Sequence, residues 1–287
     1  MVTVSTLAAL AVDGLAFGAS LALLGVGITL VYGLGEVLNL AIGAFAVIAA
    51  ILASLLIDQG MSLPVAIAGG LAFVGVFGLV VDRTLLSLVY RSDGEERILI
   101  GIFTTLGLTV LLEGVMVNYV SSQYSLPLGL DPIRIGAAVV TGTSVASIVI
   151  AAVVLAVLFL FLNRTFLGKA TRTIFQDERG ARLVGINPRK IRTLVFVLSV
   201  LVAGLAGVLA AARSNVSVAT SFEFTTFAII VSIVGGVRSL VGAVVAGLLL
   251  GLINTMANFF VGSYFATIIL FGAAIVFLLF RPEVMSS

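Results

Sequence analysis

Apolar residues along this chain come in long blocks, not in alternation. Leu, Ala, Val, Ile and Gly dominate near 7–32, 40–57, 62–82, 98–119, 142–162, 191–212, 224–236, 240–258 and 264–280, with short polar breaks between. Blocks of about 20 apolar residues satisfy their own backbone groups as helices in lipid, whereas a membrane barrel needs period-two alternation. The pattern predicts an all-α polytopic membrane protein of eight or nine transmembrane or half-membrane helices. The seventh block is too short to cross about 30 Å as a straight helix, so it is expected as a half-helix or part of a broken span.

Composition strengthens this reading. The 287 residues are 61% hydrophobic and 10% charged, with a mean hydropathy of +1.31. A water-soluble fold of this length could not hide so much apolar surface. Cys and His are both absent, which removes disulfides, thiolate metal sites and the commonest general base. The opening stretch "MVTVSTLAALAVDG" lacks a positively charged start, so the first apolar block is expected to stay in the mature protein. A net charge of +2 gives no reason to expect nucleic acid. The whole of 1–287 reads as a single transmembrane domain.

The distribution of Lys and Arg sets an orientation. With segment 163–190 in the cytoplasm and alternating spans, thirteen cations fall inside: Arg83, Arg91, Arg97, Arg164, Lys169, Arg172, Arg179, Arg182, Arg189, Lys190, Arg192, Arg238 and Arg281. Only Arg134 and Arg213 fall outside, a strong positive-inside bias. If the seventh block is re-entrant, Arg238 and Arg281 change sides and the segment still faces the cytoplasm.

That segment is the least apolar part of the chain. In "TIFQDERGARLVGINPRK", Gln176 to Val184 can form a short amphipathic helix with Phe175, Ala181 and Val184 on one side. Gly185 permits a left-handed stop and Pro188 prevents continuation. Such a helix protrudes where a partner can grip it, although the residues alone equally allow a solvated loop.

Two glycine-rich breaks interrupt the apolar blocks. One, at 31–45, holds Glu36, Asn39 and Gly43; the other, at 231–245, holds Gly235, Gly236, Arg238 and Ser239. Set 200 residues apart, Val31/Val231, Gly35/Gly235, Val37/Val237 and Leu40/Leu240 coincide, a weak sign of an internal repeat. Paired interruptions of this kind point to a transport pathway, whereas the bland alternative is two short turns with glycine caps. Glu113 sits inside the fourth block, where an ionisable residue is a functional candidate. Loop 120–141 reads as a solvated connector, or as a place where an external partner docks. The spacings Gly14/Gly18 and Gly247/Gly251 favour close helix packing.

Several motifs together carry a resemblance. Ala181, Gly185, Ile186 and Asn187, preceded by Gln176 and Asp177, look like the EAA-type coupling loop of ABC importer permeases. Gly35, Asn39, Ala41 and Gly43, the glycine/alanine-rich run 203–212, and Gly235, Gly236, Ser239, Gly242, Ala243 and Gly247 are similar to the branched-chain amino acid permease family. The resemblance implies a multi-pass plasma-membrane subunit working with a second permease subunit, two cytoplasmic ATPases and an external substrate-binding protein. It implies no cofactor in this chain, ATP being bound by the partners, and no enzyme activity; the one Gly168-Lys169 pair lacks the rest of a phosphate loop. Gln176, Asp177, Ala181, Gly185, Ile186 and Asn187 become ATPase-coupling candidates. Glu36, Asn39, Gly43, Glu113, Gly235, Gly236 and Ser239 become pathway candidates. The family often has His and Glu around the first motif's glycine; here the run is Asn39-Leu40-Ala41-Ile42-Gly43-Ala44. A branched-chain amino acid, another apolar amino acid, urea or a short amide stay open as solutes, and an ion-driven secondary transporter or channel is the rival class.

Overall fold

The computed structural model describes residues 4–35, 37–92, 94–120, 123–135 and 138–280. Helix α1, Val4–Gly35, is a single rod about 48 Å long at 1.5 Å per residue. After it come α2, Ile42–Asp58, and α3, Leu63–Val81. A π-helical turn at Asp82–Leu86 carries α3 on into the short α4, Ser87–Val89. Then follow α5, Gly94–Tyr119, and α6, Gly142–Arg164. The short α7, Phe166–Gln176, and α8, Glu178–Leu183, precede the long α9, Pro188–Arg213. The chain closes with α10, Thr220–Gly235, α11, Leu240–Val261, and α12, Ser263–Phe280.

Every apolar block has become a helix. Six of these helices are long and apolar enough to cross a membrane, and α2, α10 and α12 are shorter. The seventh block is the 16-residue α10, about 24 Å long and so short of a full crossing. The protein is a polytopic all-α membrane protein.

Glycine decides which helices sit at the centre. The Gly14/Gly18 pair of α1 lies against Gly247/Gly251 of α11: Gly18 faces Leu248 Cα, and Gly247 faces the backbone of Ala22. On the other side, Gly204 and Gly207 of α9 let α2 approach at Ala49 and Ala46. In consequence α1 and α9 are the buried axes, with 89% and 78% of their apolar windows covered against 22% for α5. Phe45, Phe77 and Phe196 lock α2, α3 and α9 together, the Phe45 and Phe196 rings meeting edge-on at 6.1 Å.

The two ends of the bundle differ. At one end, here the far end, the Ser144 hydroxyl donates to Asp13 (2.6 Å) and the Arg213 guanidinium to the Asp13 carbonyl (3.3 Å), tying α6 and α9 to α1. Loop 120–141 is partly folded there. Strands β1, Ile133–Ile135, and β2, Ala138–Val140, form an antiparallel hairpin, and Tyr124 pairs with Val216. The opposite, charged end carries α7, α8 and the start of α9.

Candidate functional site

Between α1 and α2 the chain stops being helical, and its polar backbone groups must find partners inside the bundle. Residues 37–39 have no regular structure, 40–41 form a turn, and α2 restarts at Ile42. Three threonines from two other helices supply what is missing. The Thr105 hydroxyl accepts from the Leu40 N–H (3.1 Å) and lies 3.0 Å from the Leu38 carbonyl. The Thr109 hydroxyl reaches the Leu40 carbonyl at 3.0 Å. Thr225 of α10 accepts from the Gly43 N–H (3.1 Å) and lies 3.1 Å from the same Leu40 carbonyl. Thr105 and Thr109 sit eleven and fifteen residues into α5, so the break lies about 16–22 Å from that helix's start, deep in the bundle.

Gly43 is required for this arrangement, because a Cβ there would land on the Ser221 carbonyl oxygen. The Ser221 hydroxyl in turn donates to the Glu113 carboxylate. Asn39 is fully buried; its Oδ1 accepts from the Ala41 N–H (3.1 Å), and its Nδ2 has no hydrogen-bond partner among the described residues. The break thus brings Asn39, Gly43 and Glu113 together and leaves one unspent donor among them. Glu36 lies outside the described residues.

Gly235, Gly236 and Ser239 are elsewhere. They form the tight turn from α10 to α11, where Gly236 has φ +93 and the Ser239 hydroxyl caps the Gly242 N–H at 3.0 Å. Gly235 packs directly on Gly242. Ten residues of α10, about 15 Å, separate Thr225 from Gly235. Ser239 and Arg238 border a cavity of about 520 Å³ with Asn163, Arg172 and Gln176, at the charged end. The six described pathway candidates therefore fall in two places, Asn39, Gly43 and Glu113 at one and Gly235, Gly236 and Ser239 at the other. The two glycine-rich breaks also differ in kind, one an irregular passage held by threonines and the other a capped tight turn.

At the charged end, the expected helix from Gln176 to Val184 is split at Asp177. That residue is extended (φ −155) and its carboxylate accepts from the Arg179 N–H at 2.9 Å, so it caps α8 instead of continuing α7. Gly185 takes φ +82 and closes α8, with the Ile186 N–H donating to the Ala181 carbonyl at 3.0 Å. Asn187 then caps α9 by accepting from the Arg189 N–H (3.1 Å), with Pro188 in the first turn. The buried face of α8 is Ala181. Val184, expected beside it, is exposed together with Leu183, at 72% and 89%. The cause is that α8 ends at Leu183: Val184 is its C-cap, no longer helical (φ −91, ψ 15), and so leaves the face that Ala181 buries.

Sequence reading missed what anchors this hairpin. Glu178 of α8 pairs with both Arg182 and Arg192 at 2.5 Å. The Arg192 side chain is only 5% exposed and lies over the Tyr90 ring, 4.8 Å from its centroid. Burial, and next the nearby Asp82 charge, push the Tyr90 phenol well above its ordinary range, keeping it neutral under Arg192. Only the charged character of the segment around Glu178 and Arg182 hinted at these pairs.

Residues 10–279 match the family described as branched-chain amino acid transport system / permease component. The chain belongs to that family. The permease is 29% identical to the high-affinity branched-chain amino acid transport system permease protein BraD of Pseudomonas aeruginosa, over 94% of this chain and 92% of that protein. It is 27% identical to the high-affinity branched-chain amino acid transport system permease protein LivH of Escherichia coli K12, with the same coverage of both chains. A shorter stretch, 46% of this chain, is 33% identical to 32% of the permease protein LivM of the same bacterium.

One more cavity in the permease had no sequence signal. At the far end, about 580 Å³ is walled by Phe17, Phe227 and Phe271, with Arg213, Glu223 and Asn254 at its edge. The Arg213 guanidinium lies 5.7 Å from the Phe17 centroid. Its walls offer a cation, an anion and apolar rings together, the three kinds of contact a zwitterion with a greasy side chain can use. Phe17, Phe227, Asn254 and Phe271 lie in blocks that read as ordinary spans, and Arg213 and Glu223 fall one residue outside two of them.

Proposed function

We propose that this chain is a membrane subunit of an ABC importer for branched-chain amino acids. It works with a second permease subunit and two cytoplasmic ATPases, and an external binding protein delivers the solute. What supports this most is the extent of the family match, which takes in all nine apolar helices. The names of the relatives along 94% of the chain favour a branched-chain amino acid over urea or a short amide. The positive-inside bias favours a plasma-membrane orientation with the α7–α8 end in the cytoplasm.

In this reading α8 is the handle. ATP-driven closure of the partner ATPases moves it, and the Glu178–Arg192 pair passes the displacement to α9. Helix α9 rests on α2 where Gly207 meets Ala46, one turn from Gly43 and the threonine contacts. The far-end cavity receives the solute, with Arg213 toward its carboxylate, Glu223 toward its ammonium and the phenylalanines around its side chain. The buried Asn39 amide is the next polar contact on the way through.

The test is co-purification of the tagged chain in mild detergent with an ATPase assay, followed by uptake of leucine, isoleucine and valine in vesicles. The expected result is a bound ATPase that is lost in Gly185→Val and Leu183→Asp variants, with uptake lost in parallel. An ATPase-free chain that carries these solutes on an ion gradient would overturn the reading.

A further inference from the structure

On the outer side of α3 and α9 runs a groove that the transport reading does not use, with a volume of about 980 Å³. Its floor on α3 is Ala72, Val76 and Leu79, spaced four and three apart so that they line one face of the helix. Its other wall is Leu194, Val197 and Leu201 of α9, spaced three and four apart. Gly75 keeps the two helices close at the bottom, where a Cβ would come within 3.1 Å of the Leu201 side chain. The small residues on α3 create a valley that larger ones would fill.

The mouth of the groove has the opposite chemistry. Arg83, Arg189 and Lys190 converge there, all exposed, with the Thr193 hydroxyl beside them. Asp82 is the carboxylate at hand, but it is buried and already accepts from Thr193 at 2.5 Å. Among the described residues, Arg83, Arg189 and Lys190 make no ion pair within 4 Å. From Ala72 to Arg83 the groove is eleven residues long, about 16 Å, close to the half-thickness of a bilayer's hydrocarbon core. Three unpaired cations therefore stand at the membrane surface above an apolar channel one leaflet deep.

We propose that this groove binds an anionic phospholipid, with the headgroup phosphate on Arg83, Arg189 and Lys190 and one acyl chain between α3 and α9. Charge complementarity selects the headgroup, since basic pockets between membrane helices attract anionic lipids and each such cation is worth roughly fivefold in binding. Arg189 and Lys190 open α9, the helix to which α8 is anchored, so the lipid holds the start of that helix at the membrane surface. The proposal needs only that the charged end meets the membrane surface, and it does not depend on the identity of the solute.

The test is native mass spectrometry of the full chain with its co-purifying subunits, delipidated and then titrated with phosphatidylglycerol or phosphatidylcholine. The expected result is tight retention of one phosphatidylglycerol and none of phosphatidylcholine. Retention should fall on the order of a hundredfold when Arg83→Gln, Arg189→Gln and Lys190→Gln are combined. It should fall comparably in an Ala72→Leu/Val76→Phe variant, which keeps every charge and fills the channel; that variant carries the test if the triple one does not fold. Equal retention of the two lipids would overturn the proposal. So would retention that survives filling of the groove. The chain has no cysteine of its own, so a Val76→Cys variant reports the neighbour directly. Cross-linking of that cysteine to another polypeptide in lipid would make the groove a subunit interface and sink the idea.

Discussion

Gly251 of α11 rests directly on the backbone of Gly18 of α1, with no side chain between the two helices. The same contact continues where a Cβ on Gly18 would come within 2.8 Å of Leu248 Cα. Without a hydrophobic drive between helices in lipid, such backbone contact is how they hold. Replacing Gly18 or Gly251 with valine should lower stability by about 2–3 kcal/mol through overpacking. Gly107→Ala and Gly114→Ala, at positions with open space around them, should be near neutral. Thermal unfolding in detergent compares the four; equal effects would show that the α1–α11 contact is not rigid.

The threonine contacts make a sharper prediction about the break before α2. Thr105→Val removes the acceptor of the Leu40 N–H and should cost about 1–3 kcal/mol, the penalty of a buried unsatisfied donor. Thr105→Ser keeps the hydroxyl and should retain most of the stability. The denaturation midpoints of the two variants decide it. If serine fails as badly as valine, the side chain's methyl packing matters more than its hydrogen bond.

Glu178 holds α8 to the bundle through Arg192. Because the Arg192 side chain is 5% exposed, Glu178→Ala leaves a nearly buried cation without its carboxylate, at a cost of about 2 kcal/mol once partial exposure of Glu178 is allowed for. The expected readout is faster proteolysis near 183–186 with the rest of the bundle intact. Coupled ATP hydrolysis should fall while solute binding at the far end persists. Unchanged proteolysis would mean that Ala181 packing alone holds the hairpin.

Glu113 meets Ser221 beside the Gly43 contact, whereas Asp131 lies exposed in the far-end loop. Glu113→Ala should therefore reduce uptake severalfold and Asp131→Ala hardly at all, measured as initial rates in the same vesicles. Equal, mild effects would return Glu113 to a packing role.

What the sequence determined by itself was the set of spans, their apolar character and the punctuation of the charged hairpin. Each of these is local. A block of about 20 apolar residues forms a helix in lipid whatever surrounds it, and the left-handed Gly185 stops one helix just before Pro188 opens the next. The GxxxG spacings were legible too, although not that the two pairs would meet each other. Tertiary structure alone decided the rest. Thr105, Thr109 and Thr225 look like ordinary residues in apolar helices, whose hydroxyls bond their own helix backbone, and only the packing of α5 and α10 around the irregular segment brings those hydroxyls to the break as well. Gly235, Gly236 and Ser239 share a motif style with Asn39 and Gly43 but stand a helix length away, because sequence likeness carries no distance. The cation-mouthed groove and the far-end cavity join residues from helices remote in the chain. Their chemistry exists only once glycine has brought those helices side by side.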